Sequence, residues 1–148
     1  MSDDIEKMFT AEELATQSKL NAYSFMVVSY AYVKKNGLSL EDFTKFIGDT
    51  FAPGWNGLKD KPAKDVARML ALNFVSIGGS LQTFSGDETK AEFTVGDLPN
   101  KEWMFFDLDL SQAEFDILFN VSFPIMKWLG LTYSWAREGD NIKITISR

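Results

Sequence analysis

With 148 residues, 45% of them hydrophobic and 24% charged, the chain has the length and composition of one globular domain with a buried core. It contains no Cys and no His, which removes disulfides, thiolate nucleophiles, imidazole bases, the usual zinc sites and haem ligation through those side chains, so no metal or cofactor is expected. A net charge of −6 opposes binding to nucleic-acid phosphates or anionic lipid.

Residues 1–13 lack a charged-then-apolar leader pattern, and no apolar run approaches the roughly 18 residues that a membrane helix needs. These features predict a soluble, cytoplasmic protein, one domain over residues 1–148 with a flexible stretch at 1–9. The first helix is expected to start at Thr10, because Thr10 with Glu13 forms a capping box, and to end at Asn36-Gly37. Its second half, Tyr23 to Val33, is apolar nearly all round and is expected to lie between two layers. Ser39 with Asp42 opens a second helix that carries Leu40, Phe43, Phe46 and Ile47 and stops near Gly48 to Thr50. Phe51 to Leu58 (FAPGWNGL) reads as a loop holding an aromatic anchor.

Pro62 opens a third helix, in which Ala63, Val66, Ala67, Leu70, Ala71 and Phe74 recur at helical spacing until Gly78-Gly79. Leu81 to Phe84 and Ala91 to Val95 then flank a polar turn, as in an antiparallel hairpin. Lys101 to Leu110 reads as a further strand or crossing segment. Ser111 with Glu114 caps a fourth helix that runs to Gly130 with a kink at Pro124. Two alternating runs joined by Glu138 to Asn141 close the chain as a hairpin. The predicted fold class is α+β: three or four helices packed on a small antiparallel sheet, in the order helix, helix, helix, hairpin, helix, hairpin.

Few motifs carry chemistry. Met104 to Ser111 (MFFDLDLS) has the Asp-x-Asp of haloacid dehalogenase-like phosphatases, with Asp107 in the nucleophile position and Asp109 in the acid/base position. That chemistry needs a parallel sheet and much more chain after the motif. Asp97, Glu102, Asp107, Asp109, Glu114 and Asp116 crowd one region without the spacing of a metal loop and read as a solvated acidic face. Asp116, Asn120 and Lys127 fall on one line of the fourth helix, read as its wet edge. Lys59, Lys61, Lys64 and Arg68 gather at the start of the third helix, where free backbone donors could hold an anion, without any phosphate-binding loop.

Aromatic residues make up 14% of the chain, and the four Trp sit in four different elements. Large rigid rings fill cores, and where helices meet a sheet they also leave shaped apolar pockets.

The helix ending at Gly130, followed by LTYSWAREGDNIKITI with its Gly139-Asp140 turn, resembles the closing segment of the 4-vinyl reductase-type hydrocarbon-binding domains and of the L-2-amino-thiazoline-4-carboxylic acid hydrolase-like proteins. GDETKAEFTVGDLP is similar to the strand pair that leads to a Cys-Pro dipeptide in the hydrolase-like group; Leu98 precedes Pro99 here, and Lys143 or Ile144 stands where relatives place a final-strand Cys. The resemblance implies the fold and a hydrophobic pocket, without the reactive side chains. The functional expectation is therefore a non-catalytic module that binds a small apolar or aromatic molecule between helices and sheet. Trp55, Trp103, Phe106, Trp128, Tyr133 and Trp135 are the expected lining, with Phe74 and Phe119 in the core. A homodimer is also expected, with the first helix as the contact; the alternative function is a protein-interaction or homodimerisation module without a small ligand, and a hydrolase or lyase using Asp107 or Asp109 comes third.

Overall fold

A computed structural model describes residues 8–101 and 108–148. The expected flexible stretch 1–9 lies outside it except for Met8 and Phe9, and residues 102–107 of the expected crossing segment lie outside as well. Thr10 caps α1 (Ala11–Lys35): its hydroxyl accepts from the Glu13 N–H at 3.0 Å, and the Glu13 carboxylate accepts from the Thr10 N–H at 2.7 Å. Gly37, at φ +67°, supplies the left-handed residue that closes the helix. Ser39 caps α2 (Leu40–Phe51) by accepting from the Asp42 N–H at 3.1 Å. Where the Pro and Gly content predicts a loop, a 3-10 helix (Ala52–Leu58) continues α2 directly. Pro53 sits in the first turn of that segment, where no N–H is required of it.

α3 (Ala63–Ser76) precedes the hairpin of β1 (Ser80–Gly86) and β2 (Lys90–Gly96). Asp87 holds the hairpin turn, its Oδ1 accepting from the N–H groups of Thr89 and Lys90 and from the Thr89 hydroxyl. The expected single helix kinked at Pro124 is instead three pieces: α4 (Gln112–Asp116), a 3-10 turn (Ile117–Val121) and α5 (Ser122–Trp128). Pro124 has no N–H for the carbonyl of Asn120 and its ring crowds that turn, so the backbone tightens just before it. β3 (Thr132–Glu138) and β4 (Asn141–Ser147) form the last hairpin.

The sheet is antiparallel throughout, in the order β1-β2-β4-β3. Register places Ala91 beside Ile146, Phe93 beside Ile144 and Val95 beside Ile142, while Tyr133 and Trp135 face Ile146 and Ile144 from the other side. These residues line one face, and α3 and the 112–128 segment cover it. The fold is thus α+β, with helices packed on a small antiparallel sheet.

α1 does not run between two layers. Tyr23, Val27, Tyr30 and Val33 are buried, whereas Phe25, Val28 and Tyr32 on the opposite side are exposed, because packed elements cover only one side of the helix. The wet edge assigned to Asp116 and Asn120 is also corrected. Asp116 is buried and takes a two-pronged ion pair from Arg137 of β3, Nε to Oδ2 at 2.7 Å and Nη2 to Oδ1 at 2.6 Å. Asn120 accepts from the Trp135 indole at 2.9 Å, and only Lys127 of the three is exposed. Arg137 Nη2 also donates to the Leu98 carbonyl at 3.0 Å, joining β3, α4 and the chain beyond β2.

The Asp116 and Arg137 side chains are only 11% and 20% exposed. Removing one partner therefore strands a charge: Asp116→Ala is expected to cost about 3–5 kcal/mol in urea unfolding, and the paired change Asp116→Leu with Arg137→Met clearly less. A second variant tests how α2 crosses the 117–128 segment. A Cβ on Gly48 would stand 2.4 Å from the Val121 carbonyl oxygen and 2.9 Å from the Pro124 ring. Helix propensity alone would make Gly48→Ala stabilising by about 1 kcal/mol; the clash with fixed backbone reverses the sign, and a net loss of about 1–3 kcal/mol is expected in the same measurement.

Candidate functional site

α1, α2, the 52–58 turn, α3 and the 117–121 turn converge on a cavity of about 460 Å³. α1 contributes Phe25, Met26 and Tyr30, α2 contributes Phe43 and Ile47, and α3 contributes Leu70 and Phe74; Leu118, Val121 and Ile125 close the far side. Among the described residues every part of this wall is helical or follows a helix directly. Phe74 links the cavity to the sheet, its ring packing on Phe93 at 6.4 Å and on Phe119 at 5.3 Å. Phe93 and the isoleucines of β4 pack directly against the helices above them, so the space lies one layer further out, where bulky rings on crossing helices do not interdigitate fully.

Three polar side chains on this wall are spent on their own helices. Ser29 donates to the Phe25 carbonyl at 2.6 Å, Asn73 to the Met69 carbonyl at 2.9 Å and Ser76 to the Asn73 carbonyl at 2.6 Å. Tyr30 shares a 2.5 Å hydrogen bond with Thr44, which itself donates to the Leu40 carbonyl. What remains facing the space is mostly ring and aliphatic surface. The Ser122 hydroxyl, fully buried, makes no hydrogen bond of good geometry.

Of the six expected lining residues, Trp55 lines this cavity. Trp103 and Phe106 lie outside the described residues. The other three are placed elsewhere. Trp128 is exposed and donates to the Asn56 side chain at 2.7 Å. Tyr133 is buried, donates to the Phe119 carbonyl at 2.8 Å and meets Phe123 edge-on at 4.9 Å, beside a separate shallow groove shared with Lys45 and Lys127. Trp135 packs on Phe119 at 5.4 Å. Phe119 is core, as expected; Phe74 is buried and also lines the cavity. The residues missed by reading the Trp content are those of α1 and α2. Their signal was present in the apolar run from Tyr23 to Val33, which exceeds what one buried face can absorb.

Asp107 lies outside the described residues, and Asp109 is exposed against Lys34 at 3.4 Å. Glu114 joins the same lysine at 3.0 Å; that contact with Lys34 holds its carboxyl below the usual range and raises the ammonium of Lys34. The donors at the start of α3 are already taken: the N–H of Ala63 bonds to the Glu88 carbonyl at 2.9 Å and that of Lys64 to the Asp87 carbonyl at 3.0 Å. The hairpin turn thus occupies the anion position. Among the described residues no three Asp or Glu side chains are grouped to hold a metal ion, and no helix is long and apolar enough to cross a membrane. No protein-family model matches this chain, and no curated protein is significantly similar to it.

Burial raises three phenols. Tyr30 is pushed up to about 12, opposed in part by its bond to Thr44. Tyr133 is raised by near-complete burial against the opposing Ser122 hydroxyl, and Tyr23 by burial against its bond to the Asn100 carbonyl. A phenol held neutral by the fold contributes stability that is complete below its unfolded pKa of 10.0 and is lost as pH rises through its folded value, about 12 for Tyr30. At about pH 11, native protein should therefore show a smaller phenolate absorbance near 295 nm than urea-unfolded protein, with Tyr30 contributing to the deficit. Equal absorbance would place that phenol in water.

Proposed function

We propose that this chain is a cytoplasmic, non-catalytic module that binds one small apolar or aromatic molecule in the cavity between α1, α2, α3 and the 117–121 turn. The observation that carries the reading is the cavity itself: about 460 Å³ of space walled by Phe, Met, Leu and Ile side chains, within the few hundred cubic ångströms usual for small-molecule sites. Most of its polar side chains are committed, Ser29, Asn73 and Ser76 to helix carbonyls and Tyr30 to Thr44, so a ligand rich in hydrogen-bonding groups would lose its water with little compensation, whereas apolar surface gains about 25 cal/mol per Å² buried. Tyr30, tied to Thr44 and pushed up to about 12, is held neutral and suits a wall better than a proton-transfer role. The resemblance of the closing segment to hydrocarbon-binding domains points the same way.

The neutral fluorophore N-phenyl-1-naphthylamine tests the reading. Its emission should rise saturably to one molecule per chain, and at a hundredfold excess over its dissociation constant it should stabilise the fold by about 2.7 kcal/mol. Ile47→Trp, which fills the cavity from α2, is expected to weaken binding at least tenfold, while Trp128→Phe, outside the cavity, leaves it unchanged. A linear, non-saturating response would end the proposal.

A further inference from the structure

Several helical Ser and Thr side chains in this fold turn back on their own backbone: Ser29 donates to the Phe25 carbonyl, Thr44 to that of Leu40, Thr50 to that of Phe46 and Ser76 to that of Asn73, each at 2.6–2.7 Å. Ser122 departs from the pattern. It is the first residue of α5, directly after the 3-10 turn, where the winding changes, and its fully buried hydroxyl makes no hydrogen bond of good geometry. The polar group beside it, the Tyr133 phenol, is committed to the Phe119 carbonyl at 2.8 Å. A buried hydroxyl with an unused proton has lost its water without replacement, which costs more than an ordinary hydrogen bond gains on balance.

The position of Ser122 gives that proton a use. Ser122 lines the cavity together with Tyr30, Leu70, Phe74, Leu118 and Ile125, all buried, whereas Phe25, Phe51 and Asn73 on the same wall are exposed. The buried residues form the inner end and the exposed ones the mouth. Among the described residues no charged side chain lines the space, so an ion would be buried there without a counter-charge. We infer that the cavity takes an uncharged apolar molecule ending in one oxygen, an alcohol or a carbonyl compound, inserted oxygen first. That oxygen accepts from the Ser122 hydroxyl, and the hydrocarbon part fills the ring-lined space towards the mouth. This choice of ligand rests on the cavity's being a ligand site and narrows what enters it: a pure hydrocarbon would leave the hydroxyl stranded, and a carboxylate would itself be stranded.

Three molecules on one carbon skeleton test it: propylbenzene, 3-phenyl-1-propanol and 3-phenylpropionate, each titrated at about pH 7 against N-phenyl-1-naphthylamine bound to the full chain. The affinity of 3-phenyl-1-propanol relative to that of propylbenzene should fall at least tenfold in Ser122→Ala, because only the alcohol uses the hydroxyl. The ionised 3-phenylpropionate should displace the probe least. Without ligand, Ser122→Ala should melt no lower than the wild type, since the substitution removes an unpartnered buried hydroxyl. An alcohol-to-hydrocarbon ratio that Ser122→Ala leaves unchanged, a variant that melts lower because the hydroxyl is bonded within the fold, or strongest displacement by 3-phenylpropionate would each overturn the inference. With the probe itself bound saturably to the wild type, the ligand-binding reading would still stand in those cases. No saturable binding of the probe would end that reading and the choice of ligand with it.

Discussion

The fork between Arg137 and Asp116 is the contact on which the arrangement of the layers depends. Among the described residues, Arg137 lies on an edge strand, β3, hydrogen-bonded to β4. Its guanidinium grips both carboxylate oxygens of Asp116, reaches the Leu98 carbonyl, and so fixes an edge strand, a helix and the chain leaving the central hairpin to one another. Gln112 adds a donor to Asp116 Oδ1 at 2.9 Å, which leaves little of the carboxylate unsatisfied. Removing two charges from water costs several kcal/mol each, so the net stabilisation from such a pair is small. Its consequence is positional: two parallel N–H···O bonds define an orientation as well as a distance.

From that fixed helix the rest follows by contact. Tyr133 and Trp135 of β3 bond to Phe119 and Asn120, setting the 117–121 turn over the sheet. α2 then crosses this segment at Gly48, where a Cβ would meet the Val121 carbonyl and the Pro124 ring. α1 comes last, held by Tyr30 on Thr44, by the Tyr30 ring edge-on to Phe43 at 5.5 Å and by Lys34 on Glu114. The cavity is what this sequence of constraints leaves. Between these contacts, bulky rings from the crossing helices wall the space.

α1 shows the balance between core and surface most clearly. A helix apolar on two sides has one side too many for a domain with a single sheet. Its inner side is covered by α2 and the cavity wall, and its outer side carries Phe25, Val28 and Tyr32 into solvent. Phe25 stands at the boundary, lining the cavity and exposed on the outer side of the helix.

Local chemistry was legible from residues alone. The hydroxyls of Thr10, Ser39 and Ser111 cap helices because the partner N–H lies three residues on, and the alternation of Ile142, Ile144 and Ile146 marks a strand with one buried face at any position in a fold. Such signals involve neighbours in the chain, so the class of fold and the order of its elements could be derived from them. The partner of Asp116 is 21 residues away, the donors of α3 are met by a hairpin turn more than twenty residues on, and the cavity joins six helical segments spread over a hundred residues. Spacing cannot distinguish a wet carboxylate from a buried one, or a core Trp from a cavity-lining one, when the deciding group is remote in sequence. Aromatic content pointed to a pocket, but its position depends on how the helices cross, and only the tertiary structure decides that angle.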